Sequence, residues 1–161
     1  MDNKNSLPQR KSPRLAGYDY ASEGVYFVTI CTHQRQHLFG DVRDDTMILS
    51  KLGNLVQEIW LSIPSHKSNV ILDDFVVMPN HFHGLIVLDT DAPLLGTIIA
   101  HFKSAVTRTA RQKNPLIDTI WQTRYHDHIV RNEEKLNFIR QYIQYNPAKW
   151  AEDTFYQETY L

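Results

Sequence analysis

The sequence predicts a single α+β domain, an antiparallel sheet with helices on one face and one further helix near the C-terminus. Three observations carry that expectation. Stretches rich in β-branched and aromatic residues alternate with stretches of helical periodicity, in the order β-α-β-β-α-β and then α. The two adjacent strands are joined only by Met78-Pro79-Asn80, a connection short enough to demand an antiparallel hairpin. The chain of 161 residues is 42% apolar and 22% charged, ordinary globular usage at a length that can enclose a core.

Each element follows from its residues. Gly24 to His33, GVYFVTICTH, reads as the first strand. Ile48, Leu52, Leu55, Val56, Ile59 and Ile63 keep helical spacing, with Asp45 or Thr46 as the expected N-cap. Val70 to Val77 and His81 to Leu88 form the hairpin strands. Leu95, Ile98, Ile99, Phe102, Val106 and Ala110 mark a second amphipathic helix with basic residues on its other side. Trp121 to Val130 reads as a fourth strand. Asn132 then caps a third helix whose first turn holds Glu133 and Glu134 at the positive end of its dipole, and Pro147 stops it. With right-handed crossovers this order gives a ferredoxin-like (βαββαβ) sheet whose first and third strands are central.

Composition excludes a disordered chain, a collagen-like repeat and a coiled-coil rod. The lone cysteine, Cys31, excludes an intramolecular disulfide and a multi-cysteine zinc site. No apolar run approaches a membrane span and the N-terminus lacks a secretory pattern, so the expectation is a soluble cytoplasmic protein without a membrane partner. Net charge is −1, yet the charges are segregated. Residues 1–14 carry Lys4, Arg10, Lys11 and Arg14 against Asp2 alone, and residues 101–149 carry nine Lys/Arg against four acids. The tail after Trp150 is acidic. The expected division is therefore a basic arm at 1–23, a folded domain at 24–150 and an acidic tail at 151–161. Such a map either steers a polyanion or describes solvated helix faces.

His81 and His83 flank Phe82 at the start of the third strand. Alternation points both imidazoles to one face and Phe82 to the other. Taken alone, an HxH pair reads first as a structural pair. Tyr142 and Asn146, four apart on the last helix, share a face, and each separately suits a core edge or a helix cap. Together the four make a reaction centre. A cation on His81, His83 and the Asn146 amide oxygen would polarise a phosphodiester, and Tyr142 would be its nucleophile. His126 and His128 form a second HxH, open to metal binding, DNA contact or support of the active site. Trp60, Trp121 and Trp150 read as core residues, and Cys31 as a buried strand residue.

These segments resemble the REP-associated tyrosine transposases, within the HUH superfamily of single-strand transposases. The resemblance rests on Arg14-Leu15-x-x-Tyr18-Asp19-Tyr20, Tyr26-Phe27-Val28-Thr29-Ile30-Cys31-Thr32 and Met78-Pro79-Asn80-His81-Phe82-His83. It continues through Trp121-x-x-x-Tyr125-His126-Asp127-His128-Ile129-Val130-Arg131 and Tyr142-Ile143-x-x-Asn146-Pro147, in order over most of the chain. It implies metal on His81, His83 and Asn146, with Mg²⁺ or Mn²⁺ as the cation and Tyr142 as the catalytic nucleophile. It also implies supporting roles for His126 and His128. The implied reaction is cleavage of single-stranded DNA through a 5′-phosphotyrosine, followed by strand transfer. The implied partners are hairpin-forming palindromic repeats, met by a monomer rather than a dimer. Members are commonly basic, so in this nearly neutral chain DNA binding is expected from Arg10, Lys11, Arg14, Lys103, Arg108, Arg111 and Lys113. Two other readings compete. One is a ferredoxin-like module that binds nucleic acid without cleaving it. The other is a phosphodiesterase that activates water and leaves Tyr142 idle.

Overall fold

The computed structural model describes residues 24–153; Arg10, Lys11, Arg14 and the tail beyond Asp153 lie outside them. The principal sheet contains β1 (Gly24–Cys31), β4 (Val70–Met78), β5 (His81–Leu88) and β6 (His126–Ile129), in the order β4-β5-β1-β6. All neighbours are antiparallel, and with α1 (Lys51–His66) and α2 (Leu95–Lys113) as crossovers the topology is the expected ferredoxin-like one. The central strands are β1 and the strand that opens with His81. Helix α3 (Glu133–Tyr145) follows β6 and is capped by the Asn132 side chain, which accepts from Lys135 N–H.

Strand alternation divides the interior in two. Val28 and Ile30 of β1, with Phe82 and Ile86 of β5, pack under α1 and α2 around the fully buried Trp60. Val25, Leu85 and Val87 face the other way and meet Leu136, Ile139 and Ile143 of α3. The sheet is thus covered on both faces, by two helices and by one. Trp121 and Trp150 are buried as well, as is Cys31. Among the described residues no helix is long and apolar enough to cross a membrane.

Two elements differ from the sequence reading. Residues 40–49 form a small hairpin, β2 (Gly40–Arg43) and β3 (Thr46–Leu49), so Ile48 belongs to a strand and not to a helix. Asp44 and Asp45 both have positive φ, which closes a two-residue turn there and prevents either Asp45 or Thr46 from capping α1. The cap is Ser50. Its Oγ accepts from Gly53 N–H at 3.0 Å and donates to Leu38 O at 2.8 Å. The fourth strand is also shorter than expected. Trp121 makes only an isolated bridge to Thr32, and regular pairing resumes at His126. Lys103 occupies the gap, donating to Gln122 O at 2.6 Å, while Trp121 Nε1 donates to Lys103 O. The first of these contacts satisfies a carbonyl that a longer strand would have paired.

The start of α1 is built tightly against the chain at Phe39. A Cβ on Gly53 would lie 2.1 Å from Phe39 O, a backbone atom that cannot swing aside. Gly53→Ala is therefore expected to lower stability by about 1–3 kcal/mol, despite alanine's better helix propensity. A shift of the urea midpoint towards higher stability would contradict this packing.

Candidate active site

The site is assembled where β5 begins. His81 and His83 lie on the α3 face of the sheet, both buried, with ring centroids 4.5 Å apart. Each ring is oriented through Nδ1. His81 Nδ1 lies 2.8 Å from Asn80 Oδ1, and the Asn80 amide is itself oriented by donating to Arg35 O. His81 Nδ1–H therefore donates, and Nε2 carries the lone pair. His83 Nδ1 lies 2.8 Å from Thr29 Oγ1, its cross-strand neighbour; in the tautomer that donates to this hydroxyl, Nε2 is again the free base.

Burial, reinforced by His83, holds His81 well below the usual histidine range, and burial brings His83 down to about 3. Both imidazoles are neutral at physiological pH, the form in which histidine ligates metal. Asp153 completes the cluster. The 3-10 turn Trp150–Glu152 follows α3, stacks Trp150 on His81 and brings Asp153 Oδ2 to 3.8 Å from His81 Nε2. Ligand atoms of His81, His83 and Asp153 all lie within 4.8 Å of one another. Asn146 is buried beside them, and its Oδ1 makes no hydrogen bond of ordinary geometry, although the amide raises the pKa of His81 and lowers that of Tyr142. Two neutral imidazoles, a carboxylate and an unsatisfied amide oxygen form a donor set suited to a divalent cation.

Tyr142 projects from α3 with its hydroxyl 3.5 Å from His83 Nε2. Its ring meets Phe27 edge-on, and Phe27 stacks on His83. Burial and then Asp153 raise the phenol, against a smaller lowering by the Asn146 amide. The phenol is consequently harder to ionise than a free tyrosine.

Helix α3 is fastened to the sheet by a bulge. The pairing of β4 with β5 shifts between Leu72 and Phe75, which frees Asp73 and Asp74 to reach the helix. Arg140 Nε donates to both Asp73 oxygens at 3.1 and 3.2 Å, Arg140 Nη2 donates to Oδ2 at 2.5 Å, and Gln144 Nε2 donates to Asp74 at 2.8 Å. This latch fixes the rotation of α3 about its axis, and hence where Tyr142 points.

The four residues His81, His83, Tyr142 and Asn146, separated by up to 65 positions, are thus brought together. His126 and His128 pair opposite Thr29 and Phe27, so they lie on the same face of the sheet at its exposed edge. His128 meets the site through Phe27, edge-on at 5.3 Å. Lys103, Arg108, Arg111 and Lys113 belong to α2, in the layer on the opposite side of the sheet. Lys103 is bound to carbonyls, and Arg111 Nε donates to Ile117 O at 3.4 Å. Sequence reasoning missed Thr29, Asn80 and Asp153. The first two could have been found from the strand register and from the residue preceding the histidine pair; Asp153 left no signal.

Comparison with known proteins gives the family and the fold. Residues 21–146 match the family of IS200-like transposases. An uncharacterized protein of Haemophilus influenzae is 38% identical, covering 93% of this chain and 94% of its own. The fold is similar to that of a REP-associated tyrosine transposase solved with a REP hairpin, with a TM-score of 0.62 and 20% identity over 78% of this chain and 67% of the other. It is also similar to a putative transposase of Deinococcus radiodurans, with a TM-score of 0.55 and 19% identity over 80% and 94%.

The latch yields a stability prediction. Arg140→Ala would strand the mostly buried Asp73 carboxylate, an expected cost of about 3 kcal/mol, with faster amide exchange concentrated in α3. Unchanged exchange in α3 would show that the helix is held by its apolar stripe alone. From the matched residues and the shared fold, the chain belongs to the IS200-like transposase family.

Proposed function

We propose that the protein is a REP-associated tyrosine transposase that cleaves and rejoins single-stranded DNA at hairpin-forming palindromes. The observation that carries this reading is the approach of the Tyr142 hydroxyl to His83 Nε2, at the edge of a cluster of neutral imidazoles and one carboxylate. His81, His83, Asp153 and the Asn146 oxygen would hold Mg²⁺ or Mn²⁺. When bound, such a cation supplies positive charge that polarises the scissile phosphodiester.

The chain's own residues do the rest. Asn80 and Thr29 aim the two imidazoles, and Phe27 braces the Tyr142 ring against the sheet. The Tyr142 oxygen attacks phosphorus, losing its proton as the new P–O bond forms. The 3′-oxygen departs and takes up a proton, leaving a 5′-phosphotyrosine. Attack on that link by another 3′-hydroxyl restores the tyrosine and joins two strands. Hydrolysis by activated water is the competing reading, and it leaves Tyr142 without a purpose beside His83.

Recognition of a hairpin foot is assigned to the 1–14 arm with Arg10, Lys11 and Arg14, and phosphate contacts on a second layer to Lys103, Arg108, Arg111 and Lys113. His126 and His128 flank the site from β6. The latch between α3 and its own sheet supports a monomer whose tyrosine acts in cis.

The decisive experiment is a denaturing gel of the protein with labelled hairpin DNA and Mn²⁺. A covalent band is expected with the natural chain and none with Tyr142→Phe or after chelation. A cleaved product without that band would assign the chemistry to water.

The orienting residues give a second test. Thr29→Val and Asn80→Ala leave all metal-binding groups in place, and each is expected to weaken metal affinity or cleavage about 10- to 100-fold. Titration with Mn²⁺, followed by single-turnover cleavage, reads both quantities. Wild-type values for both variants would mean that the rings need no such support.

A further inference from the structure

Helix α3 carries a row of exposed aromatic rings, of which the proposed cleavage chemistry uses only Tyr142. Phe138 is 70% exposed, Tyr145 42% and Tyr142 38%, unusually high for large rings on a helix that also has a well-buried stripe. Spacings of four and three residues place the three on one face, over roughly 10 Å of helix. Leu136, Ile139 and Ile143 take a different side into the core, so Phe138 and Tyr145 stand outside that stripe, while Tyr142 also leans on Phe27 and His83 of the sheet. The row is bracketed by cations. Lys135 stands one turn before Phe138, and Lys149 one turn beyond Tyr145, where its N–H still donates to Tyr145 O at 3.1 Å. Glu134 and Gln141 border the row on one side.

The middle ring of this row is also the ring in the reaction centre, and that continuity identifies the occupant. A phosphodiester presented to the Tyr142 oxygen has a nucleotide on each side of it, and the helix offers one exposed ring a turn away in each direction. Flat rings at such intervals, with ammonium groups at the ends for phosphates, are the ingredients of a single-strand stacking platform. A protein partner docking on a helix face would find no aliphatic side chain in the row.

We infer that the Phe138–Tyr142–Tyr145 face of α3 is a stacking track for the unpaired nucleotides on both sides of the phosphodiester cleaved by Tyr142. The inference rests on the cleavage reading above and adds residues that bind the strand without reacting. Stacking tolerates any base, so the track provides affinity and alignment for the strand while sequence is read elsewhere.

The test uses full-length Tyr142→Phe protein, which keeps the ring and cannot form the covalent link. It is titrated with a hairpin carrying an unpaired flank that contains 2-aminopurine, and in parallel with the same hairpin made blunt. Quenching on binding is expected with the flanked DNA. Adding Phe138→Ala or Tyr145→Ala should weaken binding of the flanked hairpin about tenfold each and remove the quench at the nearest base. Affinity for the blunt hairpin should not change, and Phe138→Trp should preserve the flanked affinity.

Three outcomes would overturn the inference. One is parental affinity and quenching in the Phe138→Ala, Tyr145→Ala double variant. Another is equal weakening for blunt and flanked DNA. The third is loss of self-association with DNA binding intact, which would give the row to a second copy of the chain. Failure of the underlying reading is separately visible, because the natural chain would then form no covalent band whatever the track does.

Discussion

The register between β1 and β5 is the constraint on which the rest depends. Pairing Thr29 with His83 and Cys31 with His81 puts two imidazoles and the hydroxyl that orients His83 on one face of two central strands, while Phe82 between the imidazoles anchors the opposite core. A slip of one residue would exchange the two sets, burying both histidines against Trp60 and turning Phe82 to the reaction centre. The apolar residues of both faces forbid that exchange. The core therefore does more than stabilise the sheet: it decides which side chains converge. Burial at this position also makes the imidazoles bases rather than cations, because protonated rings in the interior would be poorly solvated and, with centroids 4.5 Å apart, would repel each other.

Tyr142, the proposed nucleophile, comes from a separate element, and its placement uses a different kind of force. Leu136, Ile139 and Ile143 hold α3 on the sheet, but apolar contact is non-directional and leaves the helix some freedom to roll. Arg140 on Asp73 and Gln144 on Asp74 supply direction. The bulge in β4 is what makes both carboxylates available, since regular alternation would send one of them to the other face. A packed sheet holding the histidines and a polar latch holding the tyrosine together fix a distance that neither element sets alone.

How much of this was legible follows from the range of each signal. The HxH pair was readable because strand alternation acts over two residues, and Tyr142 with Asn146 because helix spacing acts over four. The ferredoxin-like order was readable from periodicity and the short turn at Pro79. Residues 46–49 were misread because Met47, Ile48 and Leu49 run straight into the apolar spacing of α1, and four residues cannot distinguish a period of 2 from one of 3.6. Two aspartates in left-handed conformation are a weaker turn signal than Asn-Gly would have been. The bulge at Asp73 and Asp74 looked like ordinary polarity within a strand. Asp153 was grouped with an acidic tail, since nothing local reveals that a turn after Pro147 carries it 72 positions back to His81.

Charge and function meet in the balance of the whole chain. With a net charge of −1, the protein gains little from long-range attraction to DNA, and what attraction there is comes from separated patches. Contacts with phosphates proposed for α2 would weaken as salt screens them, and two of those side chains are already engaged with backbone carbonyls. Base stacking on exposed rings is far less sensitive to salt, and α3 carries such rings on either side of Tyr142. A transposase so arranged would, on the proposed reading, bind an unpaired strand through its bases and bring the phosphodiester to Tyr142 as part of the same contact. Paired DNA hides its base faces and would gain none of that affinity. On this argument the proposed preference for single strands would arise beside Tyr142 itself, from which groups α3 leaves uncovered, and would not require a strongly basic protein.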